Sequence, residues 1–251
     1  MMNEPDQLAV LPERNTVFFP CTLAPLTVGR PKSVAAAEAA LSREDKLLAI
    51  FTQRDAQLDT PGPDDLAQFG TKAVIKRMAR SDDGLQLLIQ GIERIERTGA
   101  IGTDPYLHLS IRPAIVAADT GTEVEALQRA IIEQGARVQQ LAEPPVQLDF
   151  SQIPAQLDHP MQLVYLLASF VNLDVEKGLK LLETSSHIEA LRMLHGYLTP
   201  EIQVLALQTK IATAAKTEVK RRIPLAAFGT SVVILAGMVI GFTQLRGYNH
   251  L

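Results

Sequence analysis

From Ile223 to Leu245 the chain reads IPLAAFGTSVVILAGMVIGFTQL, without one charged side chain. Wound as a helix at about 1.5 Å per residue, the run reaches about 35 Å, enough to cross a hydrocarbon core about 30 Å thick. It is apolar on every face, whereas a surface helix carries a single apolar stripe. The run is expected to be a single C-terminal membrane anchor, residues 223–245, with a globular head before it and a short tail, 246–251, after it.

The flanks orient that anchor. Lys210, Lys216, Lys220, Arg221 and Arg222 precede it, and only Arg246 follows it. Lys and Arg are retained on the cytoplasmic side, so the head is expected there, with Lys220, Arg221 and Arg222 as the juxtamembrane basic cluster. The opening MMNEPDQLAV has acidic residues and no apolar stretch of the kind a secretory leader needs. Within the anchor, Gly237 and Gly241 are spaced as GxxxG, which lets two membrane helices approach closely and allows a homo-oligomer.

Charge narrows the partners. The formal net charge is −4 and the pI about 5.8. Setting the basic cluster aside leaves the head more acidic still, which argues against a nucleic-acid surface. The single Cys21 forbids an internal disulfide and fits a reducing compartment. Its apolar neighbours predict a small buried side chain rather than a reactive thiol.

Up to Pro113 the head reads as short strands punctuated by turns. Leu8–Leu11, Val17–Phe19 and Leu23–Val28 are apolar runs stopped or interrupted by Pro12, Pro20 and Pro25, and Pro25 marks an edge strand or a bulge. Ser33–Leu41 is Ala-rich and helical by propensity, with Ser33 as its expected N-cap. Leu47–Thr52 reads as a buried strand. Ala73–Ala79 and Leu85–Gln90 flank SDDG, a hairpin signal. Gly91–Ile95 and Tyr106–Ile111 alternate apolar and polar residues as half-buried strands do.

After Asp119 the period changes. Val124, Leu127, Ile131, Val138 and Leu141 fall at helical spacing, with Thr122 a cap. Met161–Val171, Val175–Leu182 and Ser186–Leu198 read as short helices. Pro200 is expected to open a further helix reaching Arg222, because proline suits a first turn. The fold class is therefore α+β: a small β-domain (1–118), a helical bundle (119–222) and the C-terminal transmembrane helix.

The stretch from Leu8 to Leu41, LAVLPERNTVFFPCTLAPLTVGRPKSVAAAEAAL, resembles the opening of the Lon protease N-terminal, substrate-binding domain. The resemblance is carried by Leu11, Pro12, Arg14, Thr16, Phe19, Pro20, Pro25, Leu26, Val28, Gly29, Arg30 and Ser33. It continues through the Gln-Arg-Asp stretch at Gln53–Asp55, Gly70-Thr71, QGIERIE at Gln90–Glu96 and DPYLHLSIRP at Asp104–Pro113. The helical half is similar in layout, so the likeness covers roughly residues 8–220. It implies a PUA-like β-domain followed by a helical bundle, and recognition of unfolded or apolar polypeptide segments or of a protein partner. These motifs specify a fold rather than a chemistry. Gly29 permits a positive φ or a close backbone approach, and Arg14, Arg30 and Arg94 are expected to make structural pairs with acidic residues.

No GxxxxGK[ST] phosphate loop and no serine protease motif occurs in these residues, so no enzyme activity is expected. Ser185 or Ser186, beside His187, reads as a helix N-cap. His108, His159, His187 and His195 have no metal-ligand spacing. Asp64-Asp65 and Asp82-Asp83 sit in turn sequences. No catalytic, cofactor or metal residue is assigned. The sequence thus points to a membrane-tethered, non-catalytic recognition or adaptor protein. The alternatives are an inactive remnant of a Lon enzyme and a small-molecule-binding β-domain; aromatics at 5% and the absence of Trp weigh against the latter.

Overall fold

The buried run Leu8–Leu11 organises the sheet. It lies in β1 (Asp6–Glu13), and all four side chains are buried because a core covers each face: Ala9 and Leu11 on one, Leu8 and Val10 on the other. Its second half runs parallel to β3 (Leu47–Thr52), and its first half is antiparallel to β6 (His108–Pro113). In this computed structural model, which describes residues 6–82, 84–141, 157, 159–171 and 173–222, six strands follow the order β2-β5-β4-β3-β1-β6. A further β5–β6 pairing closes five of them into a barrel-like loop. Two long strands form much of this loop. They are β4 (Phe69–Ser81) and β5 (Gly84–Gly102), joined by a hairpin whose Gly84 has φ +126°, a value that side chains rarely tolerate. A Cβ at Gly84 would also strike the Val28 carbonyl and the Gly29 Cα.

β2 (Leu23–Val28) pairs with the first half of β5 only. Helix α1 (Pro31–Leu41) covers one face of the sheet, where Ala36, Ala37 and Ala40 are wholly buried beside Leu11, Leu48 and Ile75. Small side chains on that stripe let the helix lie close to the sheet. A second core, built on Phe51, Leu66, Leu109 and Ile111, fills the opposite face.

Helices follow: α2 (Thr122–Leu141), α3 (Met161–Ser169), α4 (Val175–Glu183) and α5 (His187–Arg222). The class is α+β, as the pattern predicts. The chain forms a compact unit through Gln203 and a second from Val204 onward. In the described part of the latter, α5 carries Val204, Leu207 and Ile211 exposed, and it ends at Lys220, Arg221 and Arg222. Among the described residues, no helix is long and apolar enough to cross a membrane. The run 223–245, with Gly237 and Gly241, lies outside the described residues, as does Asp83.

Several expectations need correction. Val17–Phe19 is not a strand but part of an irregular connection between β1 and β2. Ser33 is buried inside α1 rather than capping it. Pro31 occupies the first turn, where its fixed φ and missing N–H cost nothing, and Arg30 is the N-cap. The two strands expected at Leu85–Gln90 and Gly91–Ile95 are one long β5 that passes from β2 to β6 along the same edge. Pro200 lies inside α5 rather than opening a helix. Its missing N–H removes one bond, to the Gly196 carbonyl, but buried Leu198 and Ile202 hold the helix on both sides of it. Cys21 is half-buried rather than enclosed, at φ +62°.

Candidate functional site

The connection from Arg14 to Thr22 joins the sheet to the helices. Its backbone is held by side chains from the strands: Thr52 Oγ1 donates to the Thr16 carbonyl at 3.1 Å, and Thr71 Oγ1 to the Phe18 carbonyl at 2.5 Å. The Gly91 N–H donates to the Thr22 carbonyl at 2.8 Å, and the Cys21 N–H to the Gly91 carbonyl at 3.1 Å. A Cβ at Gly91 would lie 2.6 Å from the Phe19 carbonyl, so only glycine allows this crossing. From the connection, Phe19 stacks on Tyr165 of α3 with ring centroids 6.0 Å apart. Val17 packs so closely on α4 that a Cβ at Gly178 would meet its Cγ2 at 2.9 Å.

Two cavities flank this seam. The larger, a groove of about 400 Å³, has Thr16, Val17, Phe19, Ala24, Pro25 and Leu26 on one wall and Ala168, Phe170, Val171 and Leu173 on the other. Phe170, on its wall, is 39% exposed, so a large apolar side chain borders its mouth. The smaller, about 140 Å³, is lined by Cys21, Arg94, His159 and Tyr165, with the exposed Ile92 and Ile115 at its rim.

Arg94 closes the seam from the sheet side. From β5 its Nε donates to the Leu182 carbonyl at 2.5 Å, and one terminal nitrogen to the Glu183 carbonyl at 3.0 Å. The other donates to the Ala114 carbonyl at 3.0 Å. Leu182 and Glu183 end α4, so the guanidinium satisfies carbonyls that no longer have helical partners and complements the negative end of the helix dipole. The same group lies 4.0 Å from the centroid of the Phe69 ring. Burial pulls its pKa down, and Tyr165, Glu96 and Glu183 pull it back. Burial also pushes the Tyr165 phenol up to about 12, which keeps it neutral.

Two of the three arginines, Arg30 and Arg94, therefore differ from expectation. Only Arg14 forms an ion pair, with Asp59 at 2.7 Å. Arg94 binds carbonyls, and Arg30 binds the Pro12 carbonyl and Gln53 Oε1. Both sit where amide carbonyl oxygens, not carboxylates, need a donor. Near Arg30, burial raises the Glu13 carboxyl to about 7, with the Arg30 charge opposing the rise.

Several of the residues read as structural make local hydrogen bonds. Ser186 Oγ accepts the Glu189 N–H at 3.3 Å as an N-cap, aided by Asp119, which accepts the Ile188 N–H at 2.8 Å. His159 Nδ1 accepts the Met161 N–H at the start of α3. Asp65 accepts the Gly62 N–H at 2.8 Å. His187 is wholly buried, and desolvation lowers its pKa. Among the described residues, no group of three or more His, Cys, Asp or Glu could hold a metal ion.

Comparison with known proteins decides the family. Residues 7–200 match the model of the ATP-dependent protease La (LON) substrate-binding domain. The chain belongs to the Lon substrate-binding domain family. It is 45% identical over 212 residues to a Lon protease of Nitrosococcus oceani, covering 84% of this chain and 28% of that one. It is 33% identical to a Lon protease of Geobacter metallireducens, covering 85% of this chain and 26% of that one. The chain thus spans about a quarter of the length of these relatives. The N-terminal domain of a Mycobacterium avium complex Lon protease shares the fold, with TM-score 0.62 at 20% identity over 77% of this chain and 98% of that one. A Lon N-terminal domain protein from Xanthomonas campestris is similar at TM-score 0.51 and 16% identity, over 76% of this chain and 98% of that one.

In this Lon substrate-binding domain, the groove and the Arg94 clamp come from residues far apart in sequence. The Phe19–Tyr165 and Arg94–Leu182 contacts had no local signal. Gly91 stands where two backbones cross, and Gly178 where the Val17 side chain packs on α4.

Proposed function

We propose that the chain recognises exposed apolar polypeptide segments, or a protein partner that presents one, without catalysis. The observation that carries this reading is the apolar groove between the Thr16–Leu26 stretch and α3–α4, in a member of a substrate-binding family. A groove of this size admits a few apolar side chains. Burial at about 25 cal/mol per Å² is offset by the cost of ordering a flexible chain, so the affinity for one segment is micromolar or weaker. Held at the cytoplasmic face of a membrane by residues 223–245, with Lys220, Arg221 and Arg222 at the surface, the head would meet membrane-bound clients at raised effective concentration. Pairing through Gly237 and Gly241 would add avidity.

Titration of the protein with a reduced, unfolded, apolar-rich polypeptide and with its folded form, at low and high salt, tests the reading. The expected result is preference for the unfolded form that survives salt, because apolar burial is not screened as charge pairs are. Equal binding of the two forms would overturn it.

A further inference from the structure

β2 is the one strand paired along a single side, among the described residues. Which of its residues face outward follows from a neighbouring bond. The Gly91 N–H donates to the Thr22 carbonyl, so Thr22 faces β5, and with it Ala24, Leu26 and Val28. Leu23, Pro25 and Thr27 then turn their backbone groups away from the sheet. None of those outward groups has a hydrogen-bond partner among the described residues. Pro25 sits where its missing N–H costs no ladder bond, the usual place for proline in an edge strand. It blunts the edge against indiscriminate pairing but leaves two N–H donors and three carbonyl acceptors.

This open edge borders the larger groove, which Pro25 and Leu26 help to line. We infer that β2 receives an extended apolar client segment as an added strand, its backbone pairing with Leu23, Pro25 and Thr27 while alternate side chains enter the groove beside Phe170. Six strand residues reach about 20 Å, room for a segment of similar length. Main-chain bonds would supply affinity without reading sequence, and the groove would select apolar residues at alternate positions. The inference rests on the polypeptide-recognition reading and specifies its mode.

The test uses the full chain in mild non-ionic detergent and a labelled peptide alternating Leu or Val with Thr or Lys. A second peptide has the same side chains with ester oxygens in place of its backbone N–H groups. Thr27→Pro removes an outward donor without touching the β5 ladder, and thermal melting checks that the variant folds. Each lost hydrogen bond should weaken binding about fivefold, so Thr27→Pro loses about fivefold and the ester, which lacks several donors, more. Should Thr27→Pro fail to fold, the ester alone decides. Unchanged binding by both the variant and the ester, with loss in Phe170→Ala, would overturn strand addition and keep recognition through side chains. No binding of either peptide would overturn the recognition reading itself.

Discussion

Replacing Arg94 with Met keeps an unbranched apolar stem and removes every donor. Three carbonyls, of Ala114, Leu182 and Glu183, then lose a charged partner in a buried setting. A hydrogen bond to a charged group contributes about 1.5–3 kcal/mol, and the contact with Phe69 about 1 kcal/mol more. The simple sum is too large, because Met also relieves the cost of burying a guanidinium and the carbonyls recover some water. The net loss should be about 3–5 kcal/mol. In a unit of this size 1 kcal/mol moves the melting temperature by about 2–4 °C, so a drop of about 10 °C is expected. Arg94→Lys should recover less than half, since an ammonium cannot span three acceptors in a planar fork. Thermal and urea unfolding followed by far-UV circular dichroism measure this. Hydrogen exchange should show the Leu181–Thr184 amides losing protection before those of β3. A loss under about 1 kcal/mol for Met, or full recovery by Lys, would refute the view that Arg94 clamps α4 to the sheet.

Glu13 gives a pH dependence. Its folded pKa of about 7 stands above the usual 4.5, so its contribution is complete below about pH 4.5 and is lost as pH rises through 7. The whole effect is at most about 3 kcal/mol, and Glu13→Gln should flatten that slope in urea titrations run across the window. Gly178→Leu puts a branched side chain where even a Cβ touches Val17, and should cost about 1–3 kcal/mol by thermal melting while weakening peptide binding. Asp119→Ala removes the acceptor of the Ile188 N–H and should cost about 1 kcal/mol. The full chain should stay with membranes in alkaline carbonate, and a chain ending at Arg222 should be released; release of both would remove the anchor.

Local rules carried far in the sheet and less far in the connections. The hairpin at Ser81–Gly84, the buried run in β3 and the edge character of β2 follow from turn chemistry, period and one proline. What failed were positions where two local signals compete. Ser33 is a good N-cap residue, but Pro31 two positions earlier sets the helix start. Pro200 is a good first-turn residue, but Leu194, Leu198 and Ile202 bury one continuous helical face across it, and packing outweighs the lost bond. Arg94 gave no sign of its acceptors, because helix-terminal carbonyls belong to no residue type. A carboxylate can be sought in a sequence, and a free carbonyl cannot.

The same limit bears on how the groove works. Its floor is the Arg14–Thr22 connection, whose carbonyls are tied to Thr52, Thr71 and Gly91 of three different strands. That wall is tied to the sheet and cannot move without breaking those bonds. The opposite wall belongs to α3 and α4, held to the sheet mainly by the Phe19–Tyr165 stack and the Arg94 clamp. A client that needs a wider groove would therefore displace α3 and α4 rather than the connection, and Arg94 would resist it. Weakening that clamp should then act in two directions: lower stability of the free protein, and a larger enthalpy and heat-capacity change on peptide binding as the helices order around the segment. Calorimetry of Arg94→Lys, at a temperature where it is fully folded, would show this. An unchanged heat capacity of binding would mean that the groove is already open in the free state and that the clamp serves stability alone.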